Sequence, residues 1–347
     1  MYINGWGICC YAKCADSEPW VISPEDAAIL NTALGQYSIF ADDHKPLRIS
    51  AVGSPPNLHD LGERELVGAL AALAILQCNN VDEIVIRTGR WQMPDVLNPV
   101  ALDSLVSLQI SEVDSDLGES IGSGAAWIVA AALTLRRLRG NAVTNVAPEL
   151  SHDNLRVLDL RECGLSRDSF DAIAKGFPKL EEFIYSNGSC DIAFPVCEEV
   201  SPQYAMRAMR PRRDTLRHLS LSWERAVQPY WTQDDLLESL ACMTALEEIS
   251  VSSAGLALNK DVADLDTPFF IEFFPPNLRE ITIRERSTAW NLAPLAEIAS
   301  SHLQNLTRVQ VVCWRSTLRD READLKELFG TRGIELQCVE FGKNSFM

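Results

Sequence analysis

The chain has 347 residues, 47% hydrophobic and 23% charged, enough apolar side chains to bury a large core in one or two conventional domains or in an elongated array. A formal charge of −17 and a pI near 4.7 exclude general affinity for nucleic acid or anionic membranes, because a phosphate binder needs a basic face. Ten scattered cysteines without CxxC pairs fit reduced, mostly buried thiols of the cytoplasm or nucleus, not a disulfide framework or a zinc site.

Residues 1–20, MYINGWGICCYAKCADSEPW, have no basic leader and no run of ten uninterrupted apolar positions, so they do not read as a secretion signal and stay unassigned. No segment reaches the roughly 18 apolar residues that span a bilayer. ISPEDAAILNTAL at 22–34 reads as a helix and PLRISAV around Leu47 as strand-like. One apolar spacing then recurs: with the first leucine as position 0, apolar side chains return at +3 and +5. VDEIVI at Val81, LVSLQI at Leu105, LRVLDL at Leu155, LEEFIY at Leu180, LRHLSL at Leu216, LEEISV at Leu246, LREITI at Leu278 and LTRVQV at Leu306 keep it. LRRLRG at Leu135 keeps the first two positions, while PLRISAV and GIELQCV around Leu336 look like weaker first and last copies. Successive starts lie 24, 30, 20, 25, 36, 30, 32 and 28 residues apart, within the range of repeat arrays. In each copy +3 and +5 point inward from a short strand. A single coil cannot bury that face, so the coils must stack, with their strands in a parallel sheet.

Between strands the period changes to that of a helix. In SRDSFDAIAKGFPKL, Ser166 can cap, Asp168 lies in the first turn, Phe170, Ile173, Ala174 and Phe177 form one stripe, and Gly176 and Pro178 end the helix. TQDDLLESLACM predicts a second helix, capped by Thr232, with Leu236, Leu237 and Leu240 inward. LAPLAEIASS predicts a third, with Leu292, Leu295, Ala296 and Ala299 on one face. Residues 189–215 enlarge one coil and carry Arg207, Arg210, Arg212 and Arg213, with Arg217 following. These cations either answer neighbouring acids at a solvated helix end or form a docking site for an acidic partner or phosphate.

Leu155 to Leu165, LRVLDLRECGL, matches LxxLxLxx(N/C)xL in full. The chain therefore resembles leucine-rich repeat proteins over roughly residues 40–340. It is most similar to the longer, cysteine-containing or ribonuclease-inhibitor-like variants, and its irregular repeat lengths resemble fungal members that often carry an F-box. The resemblance implies an α/β horseshoe solenoid over residues 21–347, with a concave parallel sheet and convex helices. It also implies that the +8 side chain satisfies backbone groups inside the coil. Cys163 fills that position, but Gly89, Val113, Val143, Gly188, Glu224, Ala254, Arg286 and Trp314 hold it elsewhere. F-box receptors select targets for ubiquitin ligation. Residues 22–34 resemble the first helix of an F-box, yet strand-like PLRISAV follows within a dozen positions, so they read as the first coil's helix. Ligase coupling then needs a chain that begins upstream or an F-box partner in trans.

Alternation places +2, +4 and +6 on the open face of the sheet. The +2 row includes Glu182, His218 and Glu248, and the +6 row includes Arg161 and Arg284. Trp223 lies just past a strand, outside the expected core positions. It is either an exposed anchor or packs beneath the enlarged loop. These six residues are the candidate partner-binding site, with Arg207, Arg210, Arg212 and Arg213 as the alternative.

Signals for catalysis are thin. GSGAA at 122–126 lacks the GK(S/T) of a phosphate loop. The five histidines form no HxxxH or HExxH, and SHD at 151–153 cannot form a triad from adjacent residues. The sequence thus predicts a monomeric, non-catalytic protein-recognition module without cofactor or metal. Its expected partner is a protein, with ubiquitin-ligase subunits as possible company and neither nucleic acid nor membrane as a target. The alternatives are a regulatory scaffold without ubiquitin coupling and a hydrolytic enzyme.

Overall fold

The computed structural model describes residues 2–4, 32, 39–41, 45–46, 71–77, 80–88, 95–96, 100–112, 119–121, 125–187, 200–223, 232–252, 256, 267–285, 292–313 and 319–340. The strands are β1 (Tyr2–Asn4), β2 (Ile39–Ala41), β3 (Lys45–Pro46), β4 (Glu83–Thr88), β5 (Asp95–Val96), β6 (Ser107–Glu112), β7 (Glu119–Ile121) and β8 (Arg137–Asn141). They continue as β9 (Val143–Val146), β10 (Val157–Cys163), β11 (Glu182–Asn187), β12 (His218–Ser222), β13 (Glu248–Ser252), β14 (Glu280–Glu285), β15 (Arg308–Cys313) and β16 (Glu335–Glu340). Eleven of them form one sheet in the order β1-β4-β6-β8-β10-β11-β12-β13-β14-β15-β16. Every pairing in that sheet is parallel. The spatial order of the strands follows their order in the chain. This α/β arrangement is compatible with a solenoid.

Each of the nine aligned copies yields a strand, in the predicted register. The leucines at position 0 from Leu105 to Leu306 are buried, as are the inward pairs from Ile84 and Ile86 to Val309 and Val311. They merge into one hydrophobic core with the inner faces of the helices. Backbone hydrogen bonds repeat with the same period. The +1 carbonyl of one coil accepts from both the +1 and +2 N–H groups of the next, as Arg156 O does from Glu181 N and Glu182 N at 2.8 and 2.9 Å. The same forked bond recurs at Asp82, Val106, Arg136, Glu181, Arg217, Glu247 and Arg279.

Among the described residues the helices with both ends placed are α1 (Ala126–Ala131), α2 (Arg167–Gly176), α3 (Pro202–Met209), α4 (Thr267–Phe273), α5 (Ala293–Ala299) and α6 (Arg319–Gly330), and residues 71–76 are helical as well. Ser166 caps α2 by accepting from Ser169 N, and Phe170, Ile173, Ala174 and Phe177 are buried as predicted. Leu295, Ala296 and Ala299 of α5 are buried too. The helix expected in TQDDLLESLACM is instead a single 3-10 turn, Gln233–Asp235. The Asp235 carboxylate takes the N–H of Thr232 at 2.8 Å and closes the turn on itself. Further on, Leu240 N donates to Phe273 O of the next coil, so backbone groups a helix would use internally go to a neighbour. Leu236, Leu237 and Leu240 are still buried.

The start of the chain also departs from expectation. Tyr2–Asn4, within the unassigned segment, pairs with β4 as an edge of the main sheet. Lys45–Pro46, where the weak first copy PLRISAV begins, belongs to a separate antiparallel sheet β3-β2-β5. The copy around Leu47 lies outside the described residues, as does the helix read at 22–34 apart from helical Thr32. Residues 188–199 of the enlarged coil lie outside them as well. The coil's later part forms α3 and a 3-10 turn, Arg210–Arg212.

One irregularity governs the candidate site. At +7 of two successive coils, Ala142 and Glu162 take positive φ, 58° and 53°. The register shifts there between β10 and β11, pairing Cys163 at +8 with Asn187 at +7 of its own coil. Cys163 is buried; its sulfur accepts the Val143 N–H at 3.3 Å and donates to Arg161 O at 3.1 Å. Beyond this bulge the inward-turning position is +7, where Trp223 and Cys313 are buried. The apparent erosion of the +8 column is in part this one-residue shift.

Candidate functional site

Parallel pairing aligns the outward rows across the sheet. Glu83, Ser107, Arg137, Val157, Glu182, His218, Glu248, Glu280 and Arg308 stand in register along +2. Over β10–β15 the open face carries a shallow depression of about 330 Å³. Arg161, His218, Glu248 and Arg284 line it together with Ser222, Ser250, Glu280, Thr282 and Gln310. Four of the six predicted partner-binding residues are thus brought together. A fifth, Glu182, pairs in register with His218 on the adjoining strand.

Trp223 is the correction. It is 1% exposed, its indole N–H donates to Val200 O at 3.2 Å, and its ring meets Tyr185 edge-on at 6.1 Å. The position that sequence spacing left outside the core is a core position, because the inward turn after the bulge falls at +7. This residue cannot anchor a partner on the surface.

Two residues of the +4 row, Asp159 and Arg139, organise the face. Asp159, at +4 of β10, is 5% exposed and sits in register with Arg139 of β8. Its carboxylate accepts from Arg161 Nε at 2.9 Å and lies 3.7 Å from Arg139 Nε. A desolvated carboxylate held between two cations fixes both guanidiniums. The available signal was a charge of each sign at +4 of consecutive copies, LRRLRG and LRVLDL. Further along, Arg308 pairs with Glu280 at 3.1 Å and with Glu335 at 3.5 Å, and His218 Nδ1 lies 3.8 Å from Glu248. Thr282, Gln310 and Gln337 continue the +4 row as a ladder of long polar contacts.

The alternative basic cluster is largely engaged within the fold. Arg207 and Arg210 both pair with Glu238. Arg212 donates to the carbonyls of Ala174 and Pro178 at the C-terminal end of α2, at 3.0 and 2.8 Å. Arg213 lies 3.6 Å from exposed Asp214. A second depression, of about 460 Å³ where the strands begin, is lined by ions that answer one another, as Arg217 and Arg279 do Glu247, each at 3.2 Å.

The SHD stretch at 151–153 leads into a turn at Asp153 and Asn154. His152 is buried, with Nε2 2.8 Å from Ala132 O and Nδ1 accepting from Asn154 N at 3.2 Å, so neither ring nitrogen faces a nucleophile. Among the described residues no cluster of three or more His, Cys, Asp or Glu could hold a metal ion. Nor is any described helix long and apolar enough to cross a membrane. No protein-family model matches the chain, and no curated protein matches it.

Proposed function

We propose that this protein is a leucine-rich repeat recognition module of the ribonuclease-inhibitor-like type, which binds a protein partner on the open, concave face of its sheet and performs no chemistry itself. The carrying observation is the depression on that face, where side chains from five strands, Arg161 to Arg284, converge on one polar surface. Extended open faces of this kind are where stacked-repeat proteins bind. Resemblance to F-box-associated fungal repeat proteins supports a finer reading, in which the module selects targets for ubiquitin ligation.

Affinity purification from the native cell, followed by cross-linking, tests both levels. Cross-links from the partner should fall on β10–β15, and Arg161→Ala with Arg284→Ala should weaken binding at least fivefold, about 1 kcal/mol. Changes at Lys175 on α2 and Glu297 on α5 should leave it intact. Binding indifferent to the first pair and sensitive to the second refutes the concave-face reading. Recovery of a partner without adaptor or ligase subunits makes the module a regulatory scaffold without ubiquitin coupling.

A further inference from the structure

We infer that the open face is bipolar and that its occupant is an extended protein segment, acidic where it crosses β8–β10 and basic where it crosses β13–β14. This rests on the recognition-module reading above and specifies the chemistry of the partner.

The basic end is built on β8 and β10. Arg137 and Arg139 alternate on β8 and so leave the same face, and Arg161 extends that face on β10. Arg139 and Arg161 share buried Asp159 through Nε, while their side chains remain 45% and 57% exposed. Their terminal nitrogens are thereby oriented but not consumed, which favours bidentate capture of a carboxylate. Arg137 has no ion pair among the described residues. With exposed Glu162 at the β10 bulge included, three guanidiniums against two carboxylates leave a net charge of +1, inside a chain whose total is −17.

The acidic end runs along +2 of the later strands. Glu182, Glu248, Glu280 and Glu335 stand in one row against Arg308, a net charge of −3 for those five, with Glu248 and Glu280 on β13 and β14 themselves. Arg308 is shared between Glu280 and Glu335, which leaves Glu248 with the His218 ring at 3.8 Å as its one ionic neighbour among the described residues. Arg284 stands four residues along β14 from Glu280, roughly 13 Å, so the segment's cations cross at the Glu248–Glu280 row and Arg284 meets the partner beyond them.

The floor of the depression is made of small hydroxyl side chains. Ser222 and Ser250 are 2% and 8% exposed, and their Oγ atoms have no hydrogen-bond partner among the described residues. Neither side chain adds charge or bulk to the depression. Small side chains also let a main chain approach closely. From β8 to β14 there are five strand spacings of about 4.8 Å, roughly 24 Å, which seven extended residues span.

The test uses labelled nine-residue peptides and fluorescence anisotropy at low salt. DDEGSGKRK should bind the full chain at least tenfold more tightly than DDEGSGSGS or SGSGSGKRK, with the advantage falling as salt rises. Arg137→Glu, an exposed change that unpairs nothing, should weaken DDEGSGKRK and DDEGSGSGS at least threefold and spare SGSGSGKRK. Glu248→Lys should do the converse. Circular dichroism confirms that both variants fold. The inference is overturned if SGSGSGKRK alone binds as tightly, since attraction to the overall negative charge then suffices. It is equally overturned if no peptide binds or if neither variant alters affinity. None of these failures touches the recognition-module reading, which fails separately if the native partner ignores Arg161→Ala with Arg284→Ala.

Discussion

Leu158 and Leu219 each fill an inward +3 position and are buried among neighbours from adjacent coils. Truncating either to alanine removes apolar contact and leaves a cavity, so each change should lower stability by about 2–5 kcal/mol. An unchanged urea midpoint would refute the inward register. Trp223→Ala should cost about as much, 3–5 kcal/mol, because it empties a large site and leaves Val200 O without its indole donor. A variant that kept its urea midpoint while losing partner binding would instead return this side chain to the surface. Burial of the leucines was legible because alternation along one strand is a local property. Trp223 was not, because its place depends on a bulge in β10, two strands away in the sheet, that moves the inward turn from +8 to +7. Asp159 was hidden for a related reason: the arginine that flanks it from β8 is twenty residues earlier, and nothing in LRVLDL says which residue stands alongside.

Among the elements, α2 shows how far local chemistry reaches. Its cap, first-turn acid and apolar stripe agree with one another, and the helix forms where the sequence puts it. Gly176 adds a constraint that no local pattern carries. A Cβ there would clash with Leu150 O, while its own carbonyl accepts from His152 N at 2.9 Å, so the helix ends against the preceding coil's backbone. In TQDDLLESLACM the apolar spacing was equally helical, yet bonds to the next coil prevailed over helix propensity while burial of the leucines was kept. The arginine cluster after α3 divides in the same way. Arg212 satisfies two carbonyls at the end of α2, where a cation also meets the negative end of the helix dipole. Arg212→Met should therefore destabilise the protein by about 1.5–3 kcal/mol. Exposed Arg213→Ala should stay within about 0.5 kcal/mol. Equal urea midpoints for the two variants would show that the guanidinium of Arg212 is ornamental.

Across the whole molecule, stability has to be passed from coil to coil. Sheet order follows chain order, each strand pairs only with its neighbours, and the forked +1 carbonyl bonds stitch each coil to the next. Such a stack behaves as a chain of nearest-neighbour interfaces, in which an end coil can open without taking the centre with it. Val309→Ala in β15 tests this, since Val309 is buried one strand from the β16 edge. The change should remove about 2 kcal/mol locally. Native-state hydrogen exchange should then accelerate through β14, β15 and β16, whose ladders share that interface. Protection in β8, β10 and β11 should stay as it is in the parent chain, because no contact of Val309 reaches them except through the coils between. A uniform loss of protection from β4 to β16 would mean that the sheet unfolds as one cooperative unit, and the stacked-coil description of its energetics would fail. The polar face over β10–β15 lies closer to the opening end than the arginine sector on β8 and β10 does. A partner that spans both should therefore slow exchange in β14–β16 more than in β8, since binding adds most protection where the free protein opens most readily.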